Sequence, residues 1–214
     1  MPGASPTSFE ERLLGFDVRV PSTEWSPERR SAYLLRDVSQ PYSVDPVVWP
    51  SLFDGIPGSR PSWVGPFQDL WEDLAVLRAS LSELAGSSSA ELVAATVHAR
   101  RSLGLGDFLE AHRGYDPRTA ERVPLPLTSP AVRDERWPLL GYDVGDTWGL
   151  SGLTNCAYDA RDPEDLRSAW AARLNDRHLF ASAADAEAYS AVTNSRVPEH
   201  APFYVFGLWS VRVR

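Results

Sequence analysis

LLGFDV at residues 13–18 and LLGYDV at residues 139–144 are the same hexapeptide with one aromatic exchanged for another. Each is a short apolar segment closing on an aspartate. The first runs on into Arg19 and Val20 before Pro21 ends it, and alternation of Asp17 and Arg19 with Val18 and Val20 predicts a strand over residues 13–20. The second copy predicts its twin over 139–144. A third strand is expected at residues 201–213, APFYVFGLWSVRV, whose aromatic and β-branched content suits a pleated, half-buried surface. Gly207 in its middle predicts either a bulge or a neighbouring side chain crossing close over the backbone.

Between these strands the pattern is helical. Phe67, Leu70, Trp71, Leu74, Leu77, Leu81 and Leu84 recur at three- and four-residue spacing, which predicts a helix over 67–85 stopped by Gly86. Residues 90–103 are read as a second helix, ended by Gly104 and packed against the first as an antiparallel pair. Further helices are expected from Pro27, around 107–112, from Pro163 to about Leu174, and over 182–192. In the last of these Ser182 is the N-cap and Asp185 its acidic partner three residues on. The fold class is therefore α+β: a small mixed or antiparallel sheet containing strands 13–20, 139–144 and 201–213, with helices packed on it. Long ordered loops rich in proline and aromatics complete it, chiefly over 40–66, because Tyr42, Trp49, Phe53 and Trp63 are too apolar for a solvated linker.

Residues 1–8 read as a loose terminus and 9–214 as one globular domain. The alternative is two related halves, 9–125 and 136–214, since a proline-started helix with an Arg-Ser-Ala-aromatic step follows each hexapeptide, at Arg30 and at Arg167. The spacing differs between the copies, so a duplication requires an insertion around 149–161.

A chain of 214 residues buries roughly 70% of its unfolded surface, and 43% hydrophobic residues supply the core. The formal net charge of −8 repels phosphates and anionic lipid, which argues against nucleic acid and membrane partners and favours a basic protein partner. Lysine is absent and all 21 basic residues are arginine, a codon bias that suggests a bacterial, GC-rich origin. The single cysteine, Cys156, excludes an intramolecular disulfide and suits a reducing cytoplasm. No basic n-region or stretch of 18 apolar residues is found, so a cytoplasmic location is expected.

Chemistry is thinly signalled. Cys156 in the turn Thr154-Asn155-Cys156, with His178 and His200 in the same half, contains the ingredients of a thiolate nucleophile and its base. A lone cysteine near a tyrosine is more often a small buried hydrophobe. Asp17 and Asp143 would make an acid and base pair if their strands were neighbours. Alternation that turns Leu14, Phe16 and Val18 to the core turns Asp17 to solvent, where capping a turn is its more ordinary role. The four histidines show no metal-ligand spacing, and Gly104-Leu105-Gly106 lacks the third glycine of a dinucleotide loop, so neither a metal nor a cofactor is expected. Contact by surface remains, with Trp49, Trp63, Trp148, Glu199 and His200 as candidate binding residues. The leading expectation is a non-catalytic, protein-binding bacterial protein, of which a toxin-neutralising immunity protein is one concrete form. The alternatives are a small cofactor-independent hydrolase or transferase using Cys156 or the pair Asp17 and Asp143, and a structural subunit of a larger assembly.

Overall fold

The computed structural model describes residues 9–20, 42–44, 51–52, 70–71, 73–83, 90–100, 114–115, 122–123, 133–146, 149–154 and 164–211. In chain order the elements are β1 (Phe9–Arg19), α1 (Leu74–Glu83), β2 (Glu91–Arg100), β3 (Gly114–Tyr115), β4 (Arg122–Val123), β5 (Leu139–Gly145), α2 (Glu164–Ala171), α3 (Ala183–Arg196) and β6 (Tyr204–Ser210). Four strands form one antiparallel sheet in the order β1-β2-β6-β5, while β3 and β4 pair separately. The fold is α+β, and both hexapeptides share their sheet with the C-terminal strand.

The strand that joins them is the one read as a helix. β2 lies at the sheet centre between β1 and β6. Leu92 and Ala94 pack into one apolar cluster and Val93, Ala95 and Val97 into another, all buried. A strand covered on both faces shows a continuous apolar run, which spacing alone cannot tell from a buried helix. The expected antiparallel helix pair is thereby replaced by a helix followed by a strand. The helix before it is also shorter than its spacing implied. Asp73 starts it, its Oδ1 accepting from the N–H groups of Ala75 and Val76 at 2.7 and 3.2 Å. Leu70 and Trp71 stand outside it in extended backbone, and Trp71 exchanges both backbone hydrogen bonds with Phe16 at 2.7 and 2.8 Å.

That exchange covers part of the outer edge of β1, and part of the outer edge of β5 is covered likewise. Phe180 exchanges both backbone bonds with Tyr142 at 2.9 Å. Edge residues paired in this way are withheld from another chain. A register shift interrupts each hexapeptide at the same place, between Leu13 and Gly15 and between Leu139 and Gly141. The glycines permit it: a Cβ on Gly15 would stand 2.8 Å from Leu70 Cβ and from the Trp71 carbonyl, and one on Gly141 would overlap Leu179 Cβ.

One face of the sheet is covered by helices. Leu77 of α1, with Leu74 and Leu81 beside it, packs on Leu13, Phe16, Val18, Leu92 and Ala94. Ala186 and Tyr189 of α3 pack on Val144, Phe180 and Val205. α3 begins as expected, with Ser182 Oγ accepting from the Asp185 N–H at 3.1 Å and donating to its carboxylate at 2.7 Å. Leu14, Val93, Ala95, Leu140, Phe206 and Leu208 build the core on the other face, together with Val44, Leu70 and Leu179. Gly207 holds its register between Thr96 and Tyr142, so it marks a close approach and not a bulge. A Cβ there would lie 2.6 Å from Thr96 Oγ1 and 2.9 Å from Trp209 Nε1, two atoms that hydrogen-bond each other.

Candidate functional site

The register shift decides which hexapeptide residues share a face. It resets the alternation, so Phe16 and Val18 face the helices while Leu14 and Asp17 face the opposite core. Asp17 and Asp143 are both fully buried, contrary to the solvent-facing position that plain alternation implied. Each is held by a matching set of donors. Asp17 Oδ1 accepts from Ser51 Oγ at 2.6 Å and from the Val18 N–H at 2.7 Å. Asp143 Oδ1 accepts from Ser151 Oγ at 2.6 Å and from the Val144 N–H at 2.7 Å. Their second oxygens differ. Arg19 brings Nε to 2.9 Å from Asp17 Oδ2, whereas Asp143 Oδ2 accepts from Ser43 Oγ and the Val44 N–H, both at 2.8 Å. Burial pushes the Asp143 carboxyl above its ordinary range, and the four donors pull against that.

These aspartates do not form a pair. β1 and β5 are the two outer strands of the sheet, three interstrand spacings or roughly 14 Å apart. Each carboxylate instead ties a crossing segment to its own edge strand.

The tie at Asp143 leads to a surface feature. Ser151 bridges to Gly145, and Gly152 donates its N–H to the Val144 carbonyl at 2.6 Å. The turn before it closes on Asp146, whose N–H donates to the Leu150 carbonyl at 3.0 Å and whose carbonyl accepts from the Gly149 N–H at 3.1 Å. Asp146 Oδ1 accepts from the Leu150 N–H at 2.9 Å, and Oδ2 lies 3.2 Å from His200 Nδ1. The aspartate is 1% exposed and the histidine side chain 36%. A carboxylate accepts, so in this contact His200 Nδ1 is the donor.

His200 sits in a loop, residues 197–203, that is fixed along its length. The Val197 N–H donates to the Thr193 carbonyl at 2.9 Å and the His200 N–H to the Val197 carbonyl at 3.0 Å. At the far end the Phe203 N–H donates to Asn194 Oδ1 at 2.9 Å, and Ser190 Oγ donates to the Phe203 carbonyl at 2.7 Å. Pro198, Glu199, Ala201 and Pro202 are exposed along this frame. The loop thus offers a carboxylate and an oriented imidazole on rigid backbone.

Of the other candidates, His178 lies in a different turn, with φ of 59° and its N–H donating to the Asn175 carbonyl at 2.8 Å. Cys156, Trp49, Trp63 and Trp148 lie outside the described residues. The tryptophans that are described, Trp71, Trp137, Trp170 and Trp209, all belong to packing clusters.

A second polar group was not foreseen. On the helix-covered face Glu11 of β1 stands opposite His98 of β2, with Nε2 at 3.7 Å from Glu11 Oε1. Arg133 Nε donates to the same oxygen at 3.0 Å, and its guanidinium lies 3.8 Å above the Trp209 ring. The His98 ring meets Tyr142 edge-on at 5.1 Å. Burial pushes the Glu11 carboxyl upward, but His98 and Arg133 beside it outweigh that and hold it below its ordinary value. Burial and then the Glu11 charge push the Tyr142 hydroxyl upward.

Among the described residues no three His, Cys, Asp or Glu side chains gather as a metal site, and no helix is long and apolar enough to cross a membrane. No protein-family model matches the chain, and neither a curated protein nor a solved structure resembles it significantly.

Proposed function

We propose that the protein acts by binding another protein through the loop 197–203, with Glu199 and His200 as the contact residues. The observation that carries this reading is the anchoring of an exposed loop at both ends and through the Asp146–His200 contact. A segment already held in one conformation loses little freedom on binding, so more of its contact energy appears as affinity. The exposed Glu199 and the net charge of −8 favour a basic partner. A bacterial cytoplasmic protein that neutralises the toxin encoded beside it is the concrete form of this reading. Its test is co-expression with the products of neighbouring genes. A stable complex is expected, with Glu199→Arg and His200→Ala each raising Kd about tenfold, a loss of about 1.4 kcal/mol. A protein that elutes alone in the presence of every adjacent gene product would remove the proposal.

The Asp146–His200 contact also favours a second reading. A buried carboxylate orienting an imidazole is the arrangement that readies a base for a nucleophile. In a hydrolase or transferase the Cys156 thiol would give its proton to His200 Nε2, the thiolate would add to an acyl carbon, and the leaving group would take that proton as it departs. Iodoacetamide distinguishes the two readings. Under this one Cys156 alkylates at neutral pH faster than a free thiol and slows in His200→Ala; slow labelling that is indifferent to His200 excludes it.

A further inference from the structure

We infer that the chain is two copies of one strand-helix-strand unit joined about a two-fold axis, and that in the second copy Asp143 is a positioning residue for His200 while its counterpart Asp17 serves the fold alone. The symmetry is read from the hydrogen-bonded pairs. The outer strands fix it: across their register shifts Leu13 and Gly15 pair with Thr96 and Ala95, while Leu139 and Gly141 pair with Trp209 and Leu208, and an axis through the Ala95–Leu208 pair at the sheet centre exchanges the two sets. The Val211 N–H bonded to the Leu92 carbonyl is the counterpart of His98 paired with Val205. The same exchange carries β1 onto β5 with its register shift, Ser51 onto Ser151, and Leu70 and Trp71 onto Leu179 and Phe180. It also carries the Asp73 cap of α1 onto the Ser182 cap of α3. Chance similarity of two strand starts does not reproduce an edge bridge, a serine-aspartate tie and a helix start around one axis.

Once the halves are superposed in this way, what differs between them stands out. Arg19, which neutralises Asp17, is replaced by Gly145, where a Cβ would already be 3.0 Å from Val44 Cγ1 and 3.1 Å from Phe206 Cε2. The next position is Val20 in the first half and Asp146 in the second. The stretch from helix cap to following strand runs from Asp73 to Glu91 in the first half and from Ser182 to Tyr204 in the second, where it is four residues longer and ends in the loop carrying His200. The second half therefore extends the shared tie into a chain: Asp143 holds Ser151, the adjoining Leu150 holds Asp146, and Asp146 holds His200. In the first half Val20 stands at the position of Asp146 and has no carboxylate with which to continue the tie.

The inference rests on His200 being a contact residue, but its test does not depend on a partner. Two-bond nitrogen-proton NMR spectra of the full chain read which ring nitrogen of His200 carries the proton. The wild type, Asp17→Asn and Ser51→Ala should all hold it on Nδ1, whereas Asp143→Asn and Ser151→Ala should shift it toward Nε2. Should Asp143→Asn fail to fold, Ser151→Ala, which leaves the carboxylate and its other donors in place, decides alone. The inference is overturned if the His200 pattern survives the second-half variants, or if the first-half variants change it to the same extent. Movement of the proton without any partner binding would uphold the coupling and remove the binding proposal. Partner binding that depends on His200 but ignores Ser151 would do the reverse.

Discussion

Replacing Gly141 by alanine should destabilise the protein more than the same change at Gly15, although the two glycines occupy equivalent places in the repeated hexapeptide. At Gly141 the new Cβ overlaps Leu179 Cβ and comes within 2.9 Å of Asn175 Nδ2 and 3.1 Å of the Phe180 carbonyl. None of these can withdraw freely, because the Phe180 carbonyl accepts the Tyr142 N–H at 2.9 Å and Asn175 Nδ2 donates to the Leu140 carbonyl at 2.7 Å. Forcing a methyl into such a site costs about 1–3 kcal/mol. The backbone adds a second cost, since φ at Gly141 is 150°, a region open to glycine and adding about 1–3 kcal/mol for alanine. A central sum of about 4 kcal/mol corresponds to a fall in Tm of roughly 8–16 °C for a chain of this size. At Gly15 the clash is with Leu70 Cβ and the Trp71 carbonyl at 2.8 Å and no left-handed φ is involved, so only the packing cost of about 1–3 kcal/mol applies. Guanidinium and thermal unfolding followed by tryptophan fluorescence measure both variants. A Gly15→Ala variant as unstable as Gly141→Ala would refute the separation of packing from backbone cost.

The buried aspartate and the Glu11 cluster supply two further predictions of opposite slope. Asp143→Ala strands the buried N–H groups of Val44 and Val144 at about 1–3 kcal/mol each, and Asp143→Asn, which retains one acceptor oxygen, should cost about half as much in guanidinium melts. Because burial raises the Asp143 pKa in the folded state, the native protein binds that proton more tightly than the unfolded chain. Its contribution is therefore largest in acid and declines as pH rises from the ordinary value of 3.8 through the raised one. The gap between wild type and Asp143→Asn should narrow toward neutral pH, and a gap that widens would contradict the direction of the shift. Glu11 runs the other way: its pKa is held below 4.5, so its stabilisation is present above that value and lost as pH falls through the folded one. Glu11→Gln should cost about 0.5 kcal/mol at pH 7, a half-exposed pair being screened, and nothing once the carboxyl is protonated; a cost that persists in acid would point to packing instead.

How much of this was legible in the residues depends on what each signal measures. Strands 13–20, 139–144 and 201–213 were visible because they mix polar and apolar residues at period two or gather aromatics, and β1, β5 and β6 lie there. β2 was hidden because the centre of a four-stranded sheet with both faces covered removes the alternation that would reveal a strand. α1 was read too long because Leu70 and Trp71 fit helical spacing, yet Leu70 packs on one face of the sheet and Trp71 on the other, as extended residues do. Leu14 was expected beside Phe16 and Val18, but the register shift at Gly15 turns it to the other face. Asp17 lies opposite Phe16 and Val18, as alternation implies, and is buried because that second face carries a core of its own. His200 could be noticed as a histidine between prolines, but its partner Asp146 lies 54 residues away and carries no local mark. His98 was assigned to a helix, which concealed that it stands opposite Glu11.

The repeated hexapeptide shows why resemblance within a chain and function within a chain point to different residues. Both copies keep the leucines, the glycine that admits the register shift, and an aspartate that ties a serine from a crossing segment to the edge strand. Those shared features recur because each half must cover part of one edge of the same sheet, so they report on construction. A binding surface has no reason to obey the two-fold, and it is sought where the copies part: Gly145 in place of Arg19, Asp146 in place of Val20, and the four residues added between Ser182 and Tyr204. Asp146 joins the Asp143–Ser151 tie, through Leu150, to His200, and Glu199 stands exposed beside that end. The Glu11–His98 pair departs from the symmetry as well, since Trp137 and Val211 hold its counterpart positions with apolar packing. An apolar solution is therefore available at that place in the fold, and a charged pair there is not required by packing.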